Sequence, residues 1–279
     1  MTIQEYVERG REAVEAIKDY DQAQTDKLVY EAAKIIYQHA AELAREAVDE
    51  TGLGYYEDKI CKNTDTPAAF WAYLRDKKSV GIISENKETG IIEVAHPVGV
   101  IACVTPATNP NVTPLGNFMD AVKGKNAIIV SPAPRAAKST THTVNLIREA
   151  MVKCGAPADL IQVLSEVTLA NSQALMEACD LVIATGGSVV YEPEAMAHLR
   201  EIGTVVYLKL GYKALARRLG NLKNRGVVLR PGQTLRMLYE QRIPLYETYA
   251  HITVDCGGQD IEHTLDRVLR ALEKAQPKK

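Results

Sequence analysis

The run Thr105-Pro106-Ala107-Thr108-Asn109-Pro110 sets a polar, proline-bounded turn directly after a buried apolar stretch, residues 98–104. If that stretch is a strand, the turn lies at its carboxyl end, where doubly wound sheets hold their ligands. Threonine, asparagine and proline also favour plain strand-to-helix turns, so the residues alone leave both readings open. Other chemistry is thinner. Cys61, Cys103, Cys154, Cys179 and Cys256 are scattered, odd in number and form no C-x-x-C pair. That points to reduced thiols and away from a disulfide frame or a zinc site. A phosphate loop needs Gly-x-x-x-x-Gly-Lys-Ser/Thr, but Gly124-Lys125 comes with Met119 for the first glycine and Asn126 for the hydroxyl. No G-x-G-x-x-G is present. His142, in a polar run that opens a helix, reads as a surface residue.

The elements that carry this turn show in the periodicity. Ile3, Tyr6, Val7, Ala13, Val14 and Ile17 recur at helical spacing. After Asp19-Tyr20-Asp21, Leu28, Val29, Ala32, Ile35, Ile36, Leu43 and Val48 mark a second helix, which Thr51-Gly52 stops. Residues 79–83 and 90–94 read as a small β-hairpin around Glu85-Asn86-Lys87-Glu88. From residue 98, strands at 98–104, 127–130, 160–164, 181–184, 204–208 and 252–254 alternate with amphipathic helices. This predicts an α/β fold: a doubly wound, Rossmann-like parallel sheet beside N-terminal helices and the hairpin. Residues 222–233 read as an exposed loop.

Composition narrows the partners. The 279 residues carry a net charge of −2 with no basic block, which predicts no nucleic-acid partner. No apolar run approaches the roughly 18–20 residues that span a bilayer, so no membrane is expected. The acidic start is unlike a signal peptide, and the thiols fit a cytoplasmic protein.

The run His96-Pro97-Val98-Gly99-Val100-Ile101 followed by the 105–110 turn resembles the CoA-acylating branch of the aldehyde dehydrogenases, of the sulfoacetaldehyde and acetaldehyde dehydrogenase type. Glu50-Thr51-Gly52-Leu53-Gly54 with Glu57-Asp58-Lys59, Ser131-Pro132-Ala133-Pro134-Arg135, and Gly155-Ala156-Pro157-Ala158-Asp159 add to the likeness, which runs to about residue 187. The resemblance implies NAD(P) as cofactor. Thr105 and Pro106, then Ser131, Pro132 and Arg135, then Thr185 and Gly186 match the turns around it, with Arg135 facing a 2′-phosphate. Asn109 matches the amide that holds the thiohemiacetal oxyanion. The family's nucleophilic cysteine has no match after residue 187, which implies incomplete catalysis and weak NAD(P) binding.

Ile183-Ala184-Thr185-Gly186-Gly187-Ser188, Thr204-Val205-Val206-Tyr207-Leu208, Arg242-Ile243-Pro244-Leu245-Tyr246 and Ala250-His251-Ile252-Thr253-Val254-Asp255 are similar to the latter half of shikimate kinase. By that likeness Gly186 and Gly187 meet shikimate, Arg242 its carboxylate and Arg225 the transferred phosphate, with ATP and Mg²⁺ as the alternative ligands. A surface salt bridge for Arg242 and a solvated Arg225 are the plain readings. Tyr239, Tyr246 and Tyr249 read as core packing.

Three segments are therefore expected. Residues 1–94 are dehydrogenase-type helices and hairpin, and residues 95–187 are the first Rossmann-like half. Residues 188–279 are kinase-like and continue the same sheet, extending strand order 3-2-1-4 with strands 5 and 6. The partner is a small-molecule nucleotide, and the unpaired 79–94 hairpin offers an edge for self-association.

Overall fold

The computed structural model describes residues 1–184, 189–191, 193–220, 232–258 and 261–275. The chain divides into two units, Met1–Thr185 and Gly186–Lys279.

The first unit opens with four helices: α1 (Ile3–Ala16), α2 (Gln22–Gln38), α3 (Ala40–Thr51) and α4 (Tyr56–Leu74). Reciprocal caps start the first two. Thr2 Oγ1 accepts from Glu5 N while Thr2 N donates to Glu5 Oε2, and Asp21 and Gln24 do the same for α2. The 28–48 periodicity suggested one helix; the structure breaks it at His39, whose ψ of 15° ends α2 and starts α3. Ala40 is buried at the break and its carbonyl accepts from Asn63 Nδ2, so the chain turns and α3 packs on α4. Gly52 closes α3 in the left-handed region, at φ 65°.

A hairpin follows, β1 (Gly81–Asn86) with β2 (Ile91–Ala95), antiparallel and bulged between Ile82 and Ser84. Then come β3 (Val100–Thr105), α5 (Val112–Lys123), β4 (Ala127–Pro132), α6 (Ala137–Lys153), β5 (Ile161–Val163), α7 (Leu169–Ala178) and β6 (Leu181–Ala184). The strands form one parallel sheet in the order β5-β4-β3-β6, which is the expected 3-2-1-4. Ile101, Cys103, Ile128 and Val130 meet Phe118, Met119, Val144 and Ile147 in one core that also takes Ile17, Leu28 and Ile36.

Gly99 closes the edge of β3. Its φ is 126°, and a Cβ there would lie 2.3 Å from Asp180 Oδ2. The space is used by that carboxylate, which accepts from Val100 N at 2.8 Å and, through Oδ1, from Arg11 on α1 at 2.9 Å.

The second unit holds α8 (Pro193–Ile202), β7 (Val206–Lys209), α9 (Tyr212–Leu219), α10 (Leu235–Tyr249), β8 (Ile252–Asp255) and α11 (Ile261–Ala275). Here the expectation of a continued sheet is corrected: among the described strands, β7 pairs in parallel with β8 and they form a sheet of two. Both strands lie in the kinase-like stretch, and their ends are matched to each other by Val205 N donating to His251 Nδ1 at 3.0 Å. Tyr207 and Tyr246 stack at 5.1 Å and Tyr239 meets Tyr212 edge-on, but Tyr239, Tyr246 and Tyr249 are each half-buried and lie outside the core. No helix among the described residues is long and apolar enough to cross a membrane.

Candidate functional site

The turn after β3 and the turn after β4 are pinned together. Thr105 pairs in register with Pro132, and Ala133 N donates to Thr105 O at 3.0 Å. Asn111 Nδ2 donates to Thr143 Oγ1, tying the start of α5 to α6. Ser131, buried, shares a 2.7 Å hydrogen bond with Ser172 of α7. Pro110 and Pro132 are buried, while Pro106 and Asn109 are half-buried. Thr105 Oγ1 is buried with no hydrogen-bond partner, which marks a polar group a ligand can satisfy. Arg135 stands exposed in the short 3₁₀ turn Pro134–Ala136 and makes no ion pair among the described residues.

Two lysines of α4 hold the first turn from below. Lys59 Nζ donates to Thr108 O at 3.1 Å, and Lys62 Nζ to Asn109 Oδ1 at 3.3 Å. Only about 5% of Lys59 is exposed. Burial, and then the neighbouring Lys62 ammonium, push its pKa down to about 8. Lys59 belongs to one of the motifs quoted above, and Lys62 to none of them. Helical spacing from Lys59 to Lys62 was the available signal, hidden because α4 has no apolar stripe.

Glu50, at the end of α3, caps α6. Its carboxylate accepts from Lys138 N and Ser139 N, both at 2.8 Å, and from the Ser139 hydroxyl. The free amides of that helix start are thus already used by a protein anion. His142, read as a surface residue, is half-buried and its Nδ1 pairs with Glu46 Oε2 at 2.8 Å.

Two of the thiols are held away from the nucleophilic thiolate form. Burial pushes Cys103 up to about 12, against a 2.7 Å hydrogen bond donated by Asn117. Burial, and then Asp180, push Cys179 up to about 12 as well. Cys256 is buried just past β8 and donates to Val254 O. Gly124-Lys125 is a helix end: Gly124 caps α5, and Asn126 Oδ1 accepts from Val98 N and Gly99 N. It holds backbone, not phosphate.

Of the residues singled out beforehand, Thr105, Pro106, Asn109, Ser131, Pro132 and Arg135 fall on these two joined turns. Thr185, Gly186, Gly187 and Arg225 lie outside the described residues. Arg242, on α10, places its guanidinium over the Tyr191 ring at 5.4 Å and donates to the Tyr191 hydroxyl.

Known proteins match this arrangement. The sequence model of the aldehyde dehydrogenase family matches residues 1–214. The chain belongs to the aldehyde dehydrogenase family. That match runs beyond residue 187, the limit suggested by the motifs. The shikimate kinase model matches residues 167–273.

Among related aldehyde dehydrogenases, the succinate-semialdehyde dehydrogenase (acetylating) of Clostridium kluyveri is 44% identical over 188 residues, 67% of this chain and 42% of that protein. The sulfoacetaldehyde dehydrogenase (acylating) of Bilophila wadsworthia is 40% identical over 191 residues, 68% of this chain and 41% of that protein. The chain therefore spans less than half the length of these relatives. An acetylating aldehyde dehydrogenase structure from Geobacillus thermoglucosidasius superposes with a TM-score of 0.63 at 24% identity, covering 91% of this chain and 69% of that one. That likeness speaks for the shared Rossmann-like fold.

Proposed function

We propose that this chain is the NAD(P)-binding part of a CoA-acylating aldehyde dehydrogenase that holds the dinucleotide weakly and does not itself complete the oxidation of a small aldehyde to its acyl-CoA. The observation that carries the reading is the joined pair of turns, with an unsatisfied buried Thr105 hydroxyl and an exposed Arg135 beside it. Thr105, Pro106, Ser131 and Pro132 would line the nucleotide, and Arg135 would meet a 2′-phosphate through a charge-assisted pair. Thr185 and Gly186 join them by family resemblance. NAD(P), when bound, supplies the hydride acceptor. Asn109 would offer its amide to a developing oxyanion. The raised thiols of Cys103 and Cys179 speak against a nucleophile from either residue.

The aldehyde is of the sulfoacetaldehyde or acetaldehyde type. Both relatives above are named for an aldehyde bearing an acid group, succinate semialdehyde and sulfoacetaldehyde. The reduced thiols favour a cytoplasmic setting. The exposed Ile82, Ile91, Ile92 and Val94 favour self-association along the hairpin.

Calorimetry or ligand-observed NMR with NADP⁺, NAD⁺ and ATP tests the reading. Dissociation constants of about 0.1–1 mM are expected for the dinucleotides. NADP⁺ should lead, and Arg135→Ala should remove its advantage over NAD⁺. Tighter binding of ATP than of both dinucleotides would overturn the assignment in favour of a kinase-like site.

A further inference from the structure

We propose that Glu50 is a specificity-determining residue of the joined turns: its carboxylate, held at the start of α6 beside Arg135, limits how far the site favours a dinucleotide with a 2′-phosphate. The inference rests on the nucleotide reading above and adds to it the residue that sets NADP⁺ against NAD⁺.

The start of α6 has no anion of its own. Its N-cap position is Ala136, which makes no side-chain cap hydrogen bond, and its first turn carries no acidic residue. Serine, threonine, asparagine or aspartate normally fills that position. Acidic residues also favour the first turn, because the free amides there act as a partial positive charge. Here Arg135 and Lys138, both exposed, flank the helix start instead. A positive dipole end and two cations therefore lie together in the turn that leaves β4.

Glu50 brings the missing anion from 88 residues away in sequence. Its carboxylate takes Lys138 N, Ser139 N and the Ser139 hydroxyl, donors that a phosphate beside Arg135 could otherwise use. None of the three is charged, so these bonds leave the carboxylate's negative charge in place. That charge is also fixed in position. Residues 42, 46 and 50 share one face of α3. One turn before Glu50, Glu46 Oε2 meets His142 Nδ1 at 2.8 Å, and Glu42 Oε1 lies 3.9 Å from His142 Nε2. Arg135 precedes Lys138 by three residues, so a 2′-phosphate held by Arg135 comes within about one helical turn of the carboxylate. Two negative charges at that range repel. NAD⁺, without the 2′-phosphate, is spared.

Calorimetry of Glu50→Gln and Glu50→Asp with NADP⁺ and NAD⁺ separates charge from capping. Glutamine keeps the length of the side chain and loses its charge, whereas aspartate keeps the charge and loses reach. The affinity ratio of NADP⁺ over NAD⁺ should rise about three- to tenfold in Glu50→Gln and stay near the wild-type value in Glu50→Asp. Raising the salt concentration should shrink the gain, since screening weakens a charge effect. A thermal melt reports the cap and should fall in both variants, so stability and ratio part company. Glu50→Ala, which also releases the three donors, should show a larger gain, and it decides the matter where Glu50→Gln does not fold.

An unchanged ratio in Glu50→Gln, or equal weakening of both dinucleotides in the two variants, would make Glu50 a structural cap alone and overturn the inference. If NADP⁺ binding still responds to Arg135→Ala in that case, the nucleotide reading stands without it. Failure of both dinucleotides to bind the wild type and the variants sinks the nucleotide reading, and the specificity role with it.

Discussion

The two units differ in how completely their strands are covered. Every residue of β4 is buried, and so is every residue of β3 but Val104, which places a closed core behind the two joined turns. In the second unit no residue of β7 is buried, and β8 buries Val254 alone. Strand pairing there is regular, four residues against four, but little apolar surface leaves water. Pairing specifies which strands meet, whereas burial supplies most of the free energy that holds them. The dehydrogenase-type unit has both, and the kinase-type unit has chiefly the first.

The largest effect should come from the cores themselves. Ile128→Ala, in the first unit's sheet, is expected to cost about 3–4 kcal/mol, and Leu238→Ala, on α10, about 1–2 kcal/mol. Denaturant titration of each variant measures the costs. Amide hydrogen exchange should show β3 and β4 protected well beyond β7 and β8. Equal protection in the two sheets would erase the contrast.

Gly99→Ala comes next, at about 2–3 kcal/mol, because it meets both a positive φ and the Asp180 carboxylate. A thermal melt reads it. A near-neutral result would mean the β3–β6 edge gives way easily, making the first unit softer than its burial indicates.

Strand positions and their order through β6 were legible because buried parallel strands leave uninterrupted apolar runs, such as Ala127-Ile128-Ile129-Val130. The pairing of β7 with β8 was not, since a run of four apolar residues does not state its neighbour. α4 escaped notice for a different reason: its inward face reads Lys59, Asn63, Pro67 and Leu74, so the helical period is present but its first two residues are polar. The site was visible as turns and invisible as support. Glu50 and Lys59 were noticed only as parts of motifs. Their contacts with Ser139 and Thr108 cross 89 and 49 residues of sequence, and no local spacing encodes them.

The smallest expected change tests that support. Lys59→Met should stabilise the protein at pH 7 by about 1–2 kcal/mol, since a buried ammonium is replaced by an apolar chain of similar length. The sign with pH follows from the depressed value. Between about 8 and 10.5 the unfolded chain keeps the Lys59 proton that the folded chain has lost, so wild-type stability gains over that window. Lys59→Met should lack this gain, and the two proteins should converge as pH approaches 10. Denaturation at pH 7 and pH 10 measures the difference. An unchanged gap would mean that Lys59 is solvated and that α4 buries less charge than the geometry indicates.

Asp180 joins parts of the chain that are far apart in sequence: Arg11 on the first helix, the backbone of Val100 and the strand that follows it. The amino-terminal helix is thereby a fastening for the sheet's far edge. Cutting the chain ahead of residue 11, or fusing a bulky partner there, would loosen the Asp180 corner where the start of β3 meets the segment before β6.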